Sequence, residues 1–209
     1  MQKRKLGWTE LELTTVGLGT WAQGGGKWKA GWGYQDDRDS IAAIHEAIDI
    51  GINWIDTAAI YGLGHSEEVL GRALKDIPKS ERPLIATKCG RYQNEKGDLA
   101  GRLKRESVKQ ELEDSLKRIG VDTIDLYQIH WPDPEEDIEE GWQTLADFVK
   151  EGKVRYIGVS NFSVFEMERI KNIHPIASLQ PPYSMLRRDA EEELLPYCGR
   201  HNIGVIEIG

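Results

Sequence analysis

Cysteine is scarce in this sequence: only Cys89 and Cys198 occur among 209 residues. They form no CxxC pair and show no other metal-ligand spacing, so a zinc ribbon and a dithiol redox centre are both excluded. Reduced thiols in a cytoplasmic protein are the expectation. Long apolar runs are missing too. None approaches the ~18 residues of a membrane span, and the segment from Met1 to Gly19 begins basic without developing the apolar core of a signal peptide. Positive charge is in deficit, with 27 Lys and Arg against 35 Asp and Glu and a net charge of −8. Neither nucleic acid nor an anionic membrane surface is therefore the expected partner. No GxxxxGK[ST] phosphate loop occurs, and the five histidines form no HExxH pair. The match of Gly17, Gly19 and Ala22 to G-x-G-x-x-A runs into a glycine-rich loop where a helix is required. No metal is expected. The chain also lacks linkers, internal repeats and low-complexity stretches, so residues 1–209 read as one domain.

What is present is alternation. Short apolar runs at Val16–Leu18, Trp54–Ile55, Leu84–Ala86, Ile124–Ile129, Val154–Val159, Ala177–Leu179 and Ile203–Ile208 are separated by helical patterns. Ile41, Ile44, Ala47 and Ile48 share one helical face; Val108, Leu112, Leu116 and Ile119 share another. Ser66 before Glu67 and Glu68, and Ser163 before Glu166, are expected helix starts. Gly51 and Gly120 stand where helices should stop. Gly24–Gly26, with Trp28 and Trp32, reads as a long loop after the first strand. The acidic stretch Asp133–Glu140 reads as a solvated loop entering a helix.

Strands alternating with helices predict a parallel sheet wrapped by helices. The polar residues choose between an open sheet and a barrel. Asp56, Lys88, His130, Asn161 and Gln180 each fall at the C-terminal end of a successive strand. A (β/α)8 barrel brings such ends to one mouth, whereas an open sheet spreads them along a line. The expected fold is an α/β barrel of the (β/α)8 type, incomplete at seven strands and six crossover helices. It is truncated within the seventh strand, with the eighth unit missing. Its two edge strands would invite self-association.

Those strand ends carry a recognisable chemistry. A lysine closing an apolar strand needs a carboxylate partner, and Asp56 is the nearest candidate for Lys88; a structural ion pair would look the same. Tyr61, at the start of the loop after Asp56, changes the balance. A free phenol with a pKa near 10 is a poor acid at neutral pH, and a neighbouring ammonium lowers that value. Asp56, Lys88 and Tyr61 can thus form a tuned general acid. His130 faces the same mouth and can donate to a substrate oxygen, with Trp131 lining the pocket or serving as plain apolar cover. Ser160, Asn161 and Gln180 carry side chains suited to a carboxamide, or else to capping the next helix.

Together the motifs GLGTW (17–21), DTAAIYG (56–62), ATK around Lys88, IHW around His130, GKVRYIGVSN (152–161) and SLQPPYS (178–184) resemble the aldo-keto reductases, in family order. The resemblance implies metal-free, NADPH-dependent reduction of aldehydes or ketones to alcohols. By position, Tyr61 would be the proton donor, Lys88 would tune it, Asp56 would hold Lys88, and His130 would orient the carbonyl. Thr20, Trp21, Asp56, Ser160, Asn161 and Gln180 match cofactor-contacting positions. Trp21, Tyr61, His130 and Trp131 would line the substrate. In the family an aromatic ring after the seventh strand stacks on the nicotinamide; this sequence ends Glu207-Ile208-Gly209, and the units that hold the pyrophosphate are missing. Cofactor binding is therefore expected to be weak or absent and activity impaired. The alternatives are a non-catalytic barrel that binds a protein partner and an inactive fragment of a longer reductase.

Overall fold

The structure is a computed structural model that describes residues 1–26 and 28–207. An antiparallel hairpin opens the chain, β1 (Lys3–Lys5) and β2 (Glu12–Thr14). There follow β3 (Leu18–Gly19), α1 (Asp37–Asp49), β4 (Trp54–Asp56), α2 (His65–Leu74) and β5 (Leu84–Cys89). A second hairpin, β6 (Arg91–Gln93) and β7 (Leu99–Gly101), precedes α3 (Arg105–Ile119) and β8 (Ile124–Ile129). The remainder is α4 (Ile138–Lys150), β9 (Val154–Ser160), α5 (Val164–Ile170), β10 (Ser178–Gln180), α6 (Leu194–His201) and β11 (Gly204–Val205).

β3, β4, β5, β8, β9, β10 and β11 pair in that order as one parallel sheet of seven strands. Six helices cross between successive strands, so the architecture is an incomplete (β/α)8 barrel, as the alternation predicted. Among the described residues β3 and β11 each have a single partner in the sheet. The last apolar run is shorter than expected: β11 covers only Gly204 and Val205, and Ile208 and Gly209 lie outside the described residues. Both hairpins are additions that the apolar runs did not announce. Among the described residues no helix is long and apolar enough to cross a membrane.

The two-residue period of each strand divides its side chains between helices and barrel interior. Ile55, Ile85, Tyr127, Ile129, Ile157, Val159 and Leu179 point outward and pack in the helix-facing cores. The opposite parity points inward, with Trp54, Leu84, Ala86, Leu126 and Tyr156 meeting Leu6, Leu11 and Leu13 of the N-terminal segment. The first hairpin is thus a plug at the end of the barrel away from the mouth. The Trp54 indole N–H donates to the Thr14 carbonyl at 2.9 Å. Gly17 has no room for a side chain, because a Cβ there would stand 2.2 Å from that indole.

Helix ends follow local chemistry, with two departures. Ser163 and Glu166 form a full capping box on α5, and Gly120 closes α3 in the left-handed conformation. Gly51, at φ 92°, follows the end of α1. Ser66 is not a cap, because Gly64 precedes α2 with φ 99° and takes that place. The Ser66 hydroxyl is instead buried, 2.9 Å from the Thr20 carbonyl and 3.1 Å from Thr57 Oγ1, tying the ends of β3 and β4 together. The acidic stretch from Asp133 is not simply solvated. Asp137 is buried against Lys104 at 2.6 Å, and Arg169 holds Glu135 at 3.0 Å and Glu139 at 2.7 Å.

Truncating the plug should loosen the barrel. Leu11→Ala is expected to cost about 2–5 kcal/mol in urea unfolding; a loss below about 1 kcal/mol would contradict the plug. Ser163→Ala should cost about 1 kcal/mol, and an unchanged midpoint would mean that the capping box does not hold α5.

Candidate active site

The inward parity that fills the barrel also delivers polar groups to its mouth. Asp56 ends β4, Lys88 is the penultimate residue of β5, His130 follows β8, Ser160 ends β9 and Gln180 ends β10. Lys88 is level with Gln128, Gln128 with Gly158, and Ser160 with Gln180 across the sheet. Residues 124 positions apart in the chain therefore meet: Gln180 Nε2 donates to Asp56 Oδ2 at 3.2 Å.

Lys88 is the centre of this group. Its side chain is fully buried, and Nζ lies 2.7 Å from Asp56 Oδ2, 2.9 Å from the Thr57 carbonyl and 3.5 Å from the Tyr61 hydroxyl. Burial pulls the ammonium down, but Asp56 and Tyr61 outweigh it and leave Lys88 above its ordinary value. It is therefore a permanent cation at neutral pH. For Tyr61 the balance differs from the expectation. Burial pushes the phenol up, Lys88 pulls it down and Asp56 pushes it up again, so the net shift is upward. The ammonium offsets part of the burial cost without reversing it. Tyr61 consequently rests as the protonated acid.

His130 is held well below its ordinary value by burial, with Lys88 and Arg91 adding to the effect, and so it is neutral. Its ring meets Tyr61 edge-on at 5.7 Å, and its Nδ1 is buried with no partner among the described residues. Asn161, at φ 61°, turns the chain after β9, a conformation that asparagine tolerates. Its Nδ2 donates to the His130 carbonyl at 2.9 Å. Ser160 Oγ donates to the Gln180 carbonyl at 2.9 Å, so Ser160 braces the rim and Ser163 does the capping. Thr20 is buried, its N–H donating to the Asp56 carbonyl at 2.9 Å. Two acceptors in the same corner, Asp56 Oδ1 and Gln180 Oε1, are buried without partners among the described residues.

Aromatic rings build the walls. Trp21 stacks nearly parallel on Tyr61, with centroids 5.9 Å apart, and Trp32 leans on Trp21 at 5.8 Å. Trp131 is exposed at the rim, with the Arg91 guanidinium 5.8 Å from its ring. Trp28 lies in the loop after β3, as expected, yet it is buried and packs on Tyr61 at 6.1 Å, beside Ala58, Ile60 and Leu99. Arg91 and Leu99 were also missed. Their signal was the turn Asn94–Asp98 between two short polar-apolar segments, a hairpin pattern with glycine at position 97. Behind β5, Thr87 donates to Glu67 at 2.7 Å, and Arg118 pairs with the same buried carboxylate at 2.8 Å.

Residues 15–209 match the model of the Aldo/keto reductase family. The chain is 41% identical over 201 residues to the aldo-keto reductase YhdN of Bacillus subtilis (strain 168), covering 96% of this chain and 59% of that protein. It is 38% identical over 218 residues to the NADH-specific methylglyoxal reductase of Escherichia coli (strain K12), covering 98% of this chain and 66% of that one. Among solved structures, the glycerol dehydrogenase AKR11B4 from Gluconobacter oxydans superimposes with a TM-score of 0.88 at 40% identity, over 98% of this chain and 62% of that one. The chain thus spans about three fifths of the first relative's length, 59%. With residues 15–209 matched by the family model and the barrel order shared with a solved relative, the chain belongs to the aldo/keto reductase family.

Proposed function

We propose that this chain carries the proton-transfer machinery of a reductase that converts an aldehyde or ketone to an alcohol with NADPH. The observation behind the reading is the buried Lys88 ammonium, 2.7 Å from Asp56 and 3.5 Å from the Tyr61 hydroxyl. Tyr61 gives its proton to the carbonyl oxygen as that oxygen gains charge. Lys88 stabilises the phenolate left behind, an interaction that is strongest when the charge develops. Asp56 keeps Lys88 charged and aimed. Neutral His130 donates to the same oxygen and adds no competing cation beside Lys88.

The corner beside Asp56 suits a nicotinamide. Among the described residues Gln180 Oε1 is a buried acceptor without a partner, which a carboxamide NH2 would satisfy; Ser160 and Asn161 stand beside it, with Thr20, Trp21 and Asp56 along the first two strand ends. Bound there, the cofactor would supply hydride to the carbonyl carbon. Trp21, Tyr61, His130 and Trp131 would face the substrate. The residues named reach only the nicotinamide end, so the 209-residue chain alone is expected to hold NADPH weakly and to turn over slowly. We also infer that the free chain self-associates through β3 and β11, each of which has one partner in the sheet among the described residues.

Fluorescence titration with NADPH and NADH, followed by addition of an aldehyde, tests the reading. Tyr61→Phe should lower kcat by about 100-fold or more with cofactor affinity unchanged; equal turnover by the variant would sink it. A tighter fit to NADH than to NADPH would reverse the cofactor assignment. Because His130 is held well below its ordinary value, kcat/KM should show no bend near pH ~6.5 that His130→Gln removes. Such a bend would mean that the imidazole titrates in the working range. Sedimentation of the chain at micromolar concentration should show a dimer or larger species, and a clean monomer would remove the edge-pairing inference.

A further inference from the structure

One buried carboxylate has no part in that reaction. Glu111 on α3 is enclosed behind β5, where Oε2 accepts the Gly90 N–H at 3.0 Å and Oε1 accepts Arg102 Nε at 3.1 Å. Gly90 and Arg102 are the residues immediately before β6 and after β7. Their backbones also meet, the Arg102 N–H donating to the Gly90 carbonyl at 3.1 Å. A single carboxylate therefore grips both feet of the second hairpin. The first foot has little freedom: Gly90 sits at φ 88°, and a Cβ there would lie 2.7 Å from the Leu103 side chain.

The far side of the hairpin reaches three separate parts of the mouth. Leu99 packs with Trp28, Ala58, Ile60 and Tyr61. Arg91 donates to Asp133 at 2.6 Å and lies beside the Trp131 ring, and Gly101 is pressed so closely on Asp133 that a Cβ would meet its carbonyl oxygen at 2.0 Å. Asp98 pairs with Lys29, next to Trp28. The walls on either side of Tyr61 are thus joined through this one hairpin.

We propose that Glu111 is a positioning residue for the carbonyl site: by clamping Gly90 to Arg102 it fixes the hairpin, and the hairpin fixes Trp28 and Trp131 against the bulky half of a carbonyl substrate. The substrate side of this inference rests on the reductase reading; the clamp itself rests on the two hydrogen bonds. The carboxyl is held at a cost. Burial pushes it up and Glu67 on α2 adds to the rise, while Arg102 and the Gly90 N–H draw it down, and the balance leaves it at about 7. Its ionised form thus depends on the two donors that it clamps. A small aldehyde needs only Tyr61 and His130, whereas an aromatic aldehyde also needs the walls. The clamp should therefore matter for large carbonyl compounds and little for small ones.

The test combines amide hydrogen exchange with steady-state kinetics on the whole chain, comparing Glu111→Gln with Glu113→Gln, a surface change on the same helix. In Glu111→Gln, amides 90–102 should exchange about tenfold faster, with α3 and β5 unchanged. KM for benzaldehyde should rise about tenfold, equivalent to ~1.4 kcal/mol, while kcat and the KM for acetaldehyde hold. Should Glu111→Gln fold poorly, Arg102→Gln removes the other half of the clamp from a partly exposed position and should give the same pattern. Hairpin exchange equal to that of Glu113→Gln would overturn the proposal, as would faster exchange throughout the domain with both substrates affected alike. If the unmutated chain turns over no aldehyde, the reductase reading fails separately, and the exchange result alone decides the clamp.

Discussion

The site depends on one buried ion pair. Lys88 and Asp56 sit 2.7 Å apart with the lysine side chain fully enclosed. An ammonium so placed costs several kcal/mol to desolvate unless a carboxylate compensates it. The barrel meets that requirement through register, since Asp56 and Lys88 share inward parity on adjacent strands, and Gln180 reaches across to the same carboxylate oxygen. The Tyr61 and His130 rings, and the rim behind them, are arranged around this charge. Tyr61 is buried by Trp21 and Trp28, which raises its pKa, while Lys88 works against that rise. The phenol is thus an acid at rest whose conjugate base has a waiting counter-ion.

Much of this was legible from local patterns. Apolar runs with helical segments between them give a parallel sheet, and a polar residue at the end of such a run belongs to the mouth. Asp56, Lys88, His130, Ser160, Asn161 and Gln180 were found that way, and all six meet at one end of the sheet. Ser163 and Gly120 were legible because capping involves only residues a few positions apart.

What escaped depends on distant parts of the chain. The net direction of the Tyr61 shift is set by how deeply tryptophans from a glycine-rich loop bury it, which no spacing encodes. Ser66 looked like a cap, yet Gly64 with its positive φ took that place and freed the hydroxyl to tie two strands together. Both hairpins have strands of only three residues. β1 is exposed throughout, and the β6–β7 hairpin is only half-buried, so neither shows the apolar alternation that marks a longer strand.

The most direct test of the central claim is a double-mutant cycle on the pair. Asp56→Asn alone should cost about 3–5 kcal/mol, because it strands a buried ammonium. Asp56→Asn combined with Lys88→Met should recover most of that stability while carbonyl reduction stays lost. A double variant as unstable as the single one, or one that still reduces aldehydes at the original rate, would contradict the account.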